Sequence, residues 1–280
     1  MSAERPAPAR VHVIRARRGR AGLDLRSLWS YRELIYFFVW RDVKVRYRQT
    51  VLGGLWAILQ PFVTMVIFSV VFGRLAGISS DGLPYPIFAF TALLPWTLFA
   101  TGVSQAANSL VGHQNLLKKV YFPRLALPVG AVVIGLVDLA FASLVLGGMM
   151  IFYHVRLSLT VLLVVPLLLL ALVTALGAGL WFAALNVRYR DIRYVVPFVL
   201  QAWLFLTPVA YPSSLIDQPW RTLYAMNPTV GVVEGVRWAV LGADTAPGPL
   251  VAVSTVAALV ILAGGLYYFR QVEGTFADVV

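Results

Sequence analysis

Cysteine is absent from all 280 residues, so neither a disulfide framework nor a thiolate metal site is available. Lysine occurs only three times, at Lys44, Lys118 and Lys119, and none of the three follows a glycine. A phosphate-binding loop of the Walker A kind needs Gly-Lys, so the chain does not hydrolyse ATP through such a loop by itself. The three histidines, His12, His113 and His154, are scattered and give no metal-ligand spacing, and no acidic pair stands at a catalytic spacing. Charge is scarce too: 12% of the residues are charged, against about 25% in a soluble domain.

Apolar residues fill the space that charge leaves. They make up 60% of the chain, more than one water-soluble core accommodates, which points to an all-α integral membrane protein. Uncharged runs cover 49–73, 82–117, 157–187, 194–216 and 245–269. Each is long enough for the roughly 20 helical residues that cross a bilayer core. The first run begins too far along, behind too many arginines, for a cleaved signal peptide. Six spans are expected, near 55–73, 86–111, 125–152, 159–185, 195–210 and 249–269.

The basic residues are unevenly placed. Of 23, twelve lie in residues 1–54, and seven more in 112–124, 186–194 and 270–280. Only Arg74, Arg156, Arg221 and Arg237 fall in the alternate segments. Positive charge collects on the cytoplasmic side, so both termini are expected there. The net charge of +11 is then membrane-surface charge, and with no basic globular domain to carry nucleic-acid binding, that partner is not expected.

The chain divides into a basic, mobile cytoplasmic tail (1–27), an amphipathic interface helix (28–54), a transmembrane domain (55–270) and a cytoplasmic C-terminal tail (271–280). Within "LWSYRELIYFFVWRDVKVRYR", Leu28, Tyr31, Ile35 and Phe38 recur at helical spacing, while the closing "VKVRYR" alternates with period two and leaves the helix end open. Residues 211–248 are too broken for a span, with Pro212, Pro219 and Pro228, yet too rich in Trp, Tyr and Val for a soluble loop. Short helices dipping back into the outer leaflet fit them better, with one expected over 229–241.

Asp138 is the one acid well inside a span, and an intramembrane carboxylate needs a partner. Either it fixes packing through an interhelical hydrogen bond, or it belongs to a proton or substrate site. A proton-driven carrier needs more than one such group, which favours packing. Most of the 36 aromatics near span ends read as interface anchors, and some are candidates to line a sugar path. Two basic loops remain. In "NLLKKVYFPR" (115–124) Leu116, Leu117, Val120 and Tyr121 share one side of a two-turn helix that Pro123 ends; in "NVRYRDIRY" (186–194) three arginines surround Asp191. Both are either positive-inside charge or feet that dock on a cytoplasmic partner.

"RDVKVRYRQTVLGGLWAILQPF" (41–62), then "NLLKKVYFPR", then "MNPTVGVVEGVRWAVLG" (226–242) resemble, in order, the membrane subunit of polysaccharide ABC exporters of the ABC-2 type, such as the O-antigen and teichoic acid permeases. The resemblance runs from about residue 28 to 270. It implies six transmembrane helices, an N-terminal interfacial helix and re-entrant helices before the last span. It also implies a homodimer around a central channel in the bacterial cytoplasmic (inner) membrane, among membrane lipids. Two copies of a cytoplasmic ABC ATPase would supply the energy, with ATP and Mg bound there and no cofactor in this chain. The substrate would be an undecaprenyl-type lipid-linked glycan.

By position, Asn115, Leu117, Lys118, Lys119, Tyr121, Phe122, Pro123 and Arg124 take the role of the main coupling helix, and Arg188, Arg190 and Asp191 that of a second contact. Arg41, Lys44, Arg46 and Arg48 resemble the inner mouth that attracts the lipid diphosphate head, and Trp96, Phe99, Tyr211 and Tyr224 are channel candidates. The family does not require the Arg-rich residues 1–22. An ABC-2 permease for a small drug or lipid shares the topology and remains the alternative. A membrane glycosyltransferase would want an Asp-x-Asp metal site, and a secondary carrier more than one intramembrane acid.

Overall fold

An apolar run inside a bilayer satisfies its backbone only by closing it into a helix. The computed structural model describes residues 29–48, 53–120, 122–242 and 246–276. The expected tail of residues 1–27, the docking candidate Tyr121 and residues 277–280 lie outside these. The described helices are α1 (Arg32–Arg48), α2 (Leu55–Phe68, continued by a wider turn over Ser69–Leu75), α3 (Tyr85–Gly112), α4 (Gln114–Lys119), α5 (Ala126–Phe152) and α6 (Val164–Arg188, entered through a 3-10 turn at Leu159–Leu163). Then follow α7 (Ile192–Phe205), α8 (Trp220–Tyr224), α9 (Pro228–Leu241) and α10 (Gly248–Val272). The protein is an all-helical, multi-pass membrane protein: α2, α3, α5, α6 and α10 are long and apolar enough to span, and α7 is a shorter apolar helix.

Helix α3 is the axis. In its most apolar stretch 78% of residues are buried, against 17% in α2 and 22% in both α6 and α10, whose apolar faces look outward. Helices α5, α6, α9 and α2 pack around it. Thr91 and Thr174, inside spans, bond back one turn, to the Ile87 carbonyl (2.8 Å) and to that of Leu170 (2.8 Å), so their hydroxyls bring no unpaired donor into the apolar layer. Between spans the driving force is close packing, which small residues permit. At Gly177 of α6 a Cβ would stand 2.7 Å from the backbone nitrogen of Leu262 on α10.

The fifth apolar helix is shorter than the expected 195–210. Helix α7 has 14 residues, about 21 Å, and ends at Phe205. Pro208 and Pro212 supply no N–H and disfavour helix in the residues before them, so the chain leaves the helix in turns. The freed carbonyls are captured one by one. Tyr211 donates to Phe205 O (2.7 Å), Asn227 Nδ2 to Leu206 O (2.7 Å), Arg237 Nη2 to Pro208 O (2.8 Å), and the Tyr85 hydroxyl to Ala210 O. Non-helical backbone survives here because protein covers it.

Helices α8 and α9 are the short elements expected before the last span. Asn227 caps α9, accepting from the Thr229 N–H at 3.1 Å, and Pro228 sits at its first position. Gly242 closes it at φ 70°. Helix α9 is buried along nearly all its length against α10, α3 and α6, and its Gly231 N–H donates to Ser254 Oγ on α10 at 3.0 Å.

Helix α1 continues through "VKVRYR" to Arg48, with Phe38 buried and Tyr31 and Ile35 half-buried, as their spacing predicts. It leans along α5: Ile35 and Val39 meet Gly130, and its last turn reaches Asp138. Helix α2 takes up the next level, with Gly54 against Phe141. The joint passes through Gly53 at φ +51°, a conformation that glycine adopts without strain.

Candidate functional site

The basic loops emerge at one end of the bundle, here the basic end. A buried cluster of Phe38, Leu110, Phe122, Leu125, Leu180, Val187, Phe269 and Phe276 joins α1, the ends of α3, α6 and α10, and the start of α5 beneath them. Helix α4 rests on this cluster through the half-buried Leu116 and Leu117, while Gln114, Asn115, Lys118 and Lys119 are exposed. Two expectations shift. The helix stops at Lys119, so Val120 is extended and exposed instead of sharing the apolar side. Phe122 is buried edge-on to Phe38, with ring centroids 5.7 Å apart, and so anchors the loop from inside. Pro123 is half-buried, and Arg124 turns to the C-terminal end of the chain, donating to the Glu273 carbonyl.

In the second loop, Arg188, Arg190 and Asp191 are all exposed. Arg188 lies over the Tyr189 ring (5.5 Å) and Arg193 over that of Tyr194 (4.6 Å). Among the described residues Asp191 makes no ion pair. Asn186, just before this loop, donates to Ala107 O at 2.9 Å and so ties the end of α6 to α3.

The four cations of α1 separate into two kinds. Arg41 is held by the protein: its Nε and Nη2 reach Asp42 Oδ1 (2.9 and 2.7 Å), and Nη2 also lies against His113 Nε2. His113 Nδ1 is 2.8 Å from Ser109 O, which sets that nitrogen as the donor and leaves Nε2 to accept. Arg46 pairs with Asp138 at 2.9 Å. Lys44 and Arg48, by contrast, are exposed one turn apart and have no carboxylate partner among the described residues. Lys44 Nζ stands 4.6 Å over the Trp40 ring, and Trp40, Arg41, Lys44, Val45 and Arg48 line an open cavity of about 420 Å³.

Asp138 does have a partner, and it comes from α1 instead of a neighbouring span. Its carboxylate accepts from the Tyr47 hydroxyl on one oxygen and pairs with Arg46 on the other. Burial, then the hydrogen bond and charge of Asp138, push the Tyr47 phenol up to about 12 against the opposing pull of Arg46, so Tyr47 stays a donor. Asp138 lies about 18 Å along α5 from its first residue, so the end of α1 is held well inside the bundle.

The channel candidates divide. Trp96 and Phe99 are buried in the core, 5.5 Å apart, with Phe99 edge-on to Trp203 at 5.0 Å. A helix at the centre of the bundle turns its aromatics into protein, so neither offers a polymer a face in this chain. Tyr211 and Tyr224 are half-buried at the opposite end and join hydroxyls at 2.9 Å.

One constellation escapes sequence reasoning. Arg237, counted only as loop charge, is 3% exposed; it pairs with Glu234 (2.8 Å), donates to the Pro208 carbonyl and stacks 3.7 Å over Phe88. Burial pulls its pKa down, and Glu234 is the chief influence holding it up, so a guanidinium remains. The spacing of Glu234 and Arg237 on one helix face was visible in the sequence, but the carbonyls that Arg237 serves lie almost thirty residues away.

Residues 33–241 match the family model described as ABC-2 type transporter. The O-antigen export system permease protein RfbA of Myxococcus xanthus is 37% identical over 218 residues, covering 75% of this chain and 80% of that protein. A protein of the same description from Klebsiella pneumoniae is 24% identical over 89% of this chain and 95% of its own length. The polysialic acid transport protein KpsM of Escherichia coli is 24% identical, covering 83% and 91% respectively.

Proposed function

The chain belongs to the ABC-2 type transporter family, and we infer that it is the permease half of an ATP-driven exporter of a lipid-linked polysaccharide. Relatives named for O-antigen export and for polysialic acid transport support a polysaccharide over a small drug. Two copies form the channel in the cytoplasmic membrane with their termini on the cytoplasmic side, and two copies of a separate ABC ATPase bind ATP and Mg. The weakly buried, apolar α2 and α7 are faces suited to a second copy or to lipid. The chain itself is a membrane subunit, not an enzyme.

The observation that carries the docking assignment is the foot of α4: exposed Lys118 and Lys119 on a loop whose Leu116, Leu117 and Phe122 are rooted in the cluster joining five helices. ATP binding closes the ATPase dimer, α4 moves with it, and the rooted cluster passes that motion to the spans. The lipid diphosphate is drawn to Lys44 and Arg48, which have no carboxylate partner among the described residues. A polymer does not fit one alternating-access cavity, so it moves stepwise through a continuous path between the two copies.

The test is co-purification with the ATPase from the same membrane, followed by ATPase measurement with and without lipid-linked glycan. A stable complex stimulated by the glycan is the expected result. In Lys118→Glu/Lys119→Glu, stimulation and export should both fall; unchanged coupling in that variant removes the docking assignment. Phe122 is a poor probe, because its truncation damages the cluster as well as the surface.

A further inference from the structure

The C-terminal turn ends where the docking loop begins to ascend into α5. After α10 the chain makes a short 3-10 turn, Glu273–Thr275, which aims the Glu273 carbonyl at Arg124. Arg124 Nη1 donates to that carbonyl, and its guanidinium lies 5.8 Å over the ring of Phe276. Phe276 is fully buried, edge-on to Phe269 at 5.2 Å, while Arg270 pairs with the Glu273 side chain at 3.4 Å. Carbonyls at a helix end need donors from elsewhere, and an arginine there satisfies both the oxygen and the negative end of the helix dipole.

Phe276 shares its cluster with Phe122 from the docking loop, with Leu125 at the start of α5, and with Leu180, Ala183, Ala184 and Val187, the last turns of α6 before the second basic loop. It therefore stands at the root of both loops.

We propose that Phe276 is a positioning residue for ATPase coupling: with Arg124 it fixes the docking loop of residues 114–124 against the second loop of residues 188–193, so that the two meet the ATPase as one rigid foot. The proposal rests on the docking assignment above. A foot that yields absorbs the ATPase movement instead of passing it on, so loss of Phe276 lowers export per ATP without removing the docking surface.

The experiment uses the full permease–ATPase complex reconstituted with lipid-linked glycan. In Phe276→Ala the complex still assembles and basal hydrolysis is unchanged, but glycan exported per ATP falls about 5-fold or more, the scale of a coupling free energy between sites. Phe276→Leu, which refills the cluster, restores it. Equal coupling in Phe276→Ala and the unaltered chain overturns the proposal. So does a loss of complex in Phe276→Ala that Phe276→Leu fails to repair, since that is a folding role. Lys118→Glu/Lys119→Glu separates the two layers. If it uncouples while Phe276→Ala does not, only the positioning role fails; if neither has an effect, the docking assignment falls and takes the positioning role with it.

Discussion

Two arginine–carboxylate pairs sit at different depths of this molecule and are built in opposite ways. Arg237 and Glu234 lie on one helix, with side chains only 3% and 13% exposed. Arg46 and Asp138 join two elements, and although Asp138 is 7% exposed, Arg46 is 37% exposed. The first pair holds irregular backbone in place: its guanidinium serves the carbonyls that α7 leaves open. The second pair holds a helix in place, tethering the end of α1 to the side of α5. A sealed pair of this kind is expensive to disturb, whereas a half-open one exchanges its partner with solvent or lipid at small cost.

The largest expected effect therefore belongs to Arg237. Arg237→Met strands Glu234 and the Pro208 carbonyl, and breaking a buried pair costs about 3–5 kcal/mol. The thermal unfolding midpoint in detergent should fall by roughly 10 °C. Arg237→Lys should not restore it, because an ammonium neither reaches two carbonyls and a carboxylate at once nor stacks flat on Phe88. A midpoint unchanged in Arg237→Met would erase the contrast between the two pairs.

Asn227 stands next. It caps α9, accepts from Trp203 Nε1 at 2.8 Å and donates to the Leu206 carbonyl, so it joins the turn after α7 to the start of α9. Asn227→Ala should cost about 2 kcal/mol. Asn227→Asp keeps the acceptor oxygen but loses the donor, and should fall between the two on the same melting measurement.

These residues also mark how much was legible beforehand. The spans, a short helix over 229–241 and the inward face of α1 follow from run length, proline punctuation and helical spacing, all of them local properties. Phe122 and Phe99 share one ambiguity: an aromatic in or beside a span reads the same in sequence whether it faces lipid, a channel or another helix. Only the packing of α1 on the docking loop, and of α7 on α3, decides which. The sequence extends this helix to 210 because uncharged residues continue past Phe205, while the donors that make its earlier ending tolerable lie in other segments. The need of Asp138 for a partner was legible, but its identity was not, since Tyr47 is 91 positions away.

Asp138 tests the half-open pair directly. Asp138→Asn keeps an oxygen for the Tyr47 hydroxyl and loses only the charge that faces Arg46. The exposed side of Arg46 returns to water or head groups, so the expected cost is about 1 kcal/mol, with export retained. If Asp138→Asn abolishes export while its melting midpoint stays in place, the carboxylate belongs to a proton or substrate path and the tether reading is wrong.

The smallest effect on stability, and the sharpest division among the α1 cations, is expected at Lys44 and Arg48. Neither has a carboxylate partner among the described residues, so Lys44→Gln/Arg48→Gln should change stability by no more than about 0.5 kcal/mol, leaving the melting midpoint nearly in place. Their charge is free to act on phosphate outside the protein, at about 1 kcal/mol for each cation near an anionic surface. The double variant should bind nanodisc-embedded polyprenyl-diphosphate glycan roughly 10-fold or more weakly, with a shallower salt dependence. Arg46→Gln should change that binding little, because Asp138 already neutralises Arg46. Equal losses in the two variants would mean that the head group reaches Arg46 as easily as Lys44 and Arg48, and that the α1–α5 tether opens whenever substrate arrives.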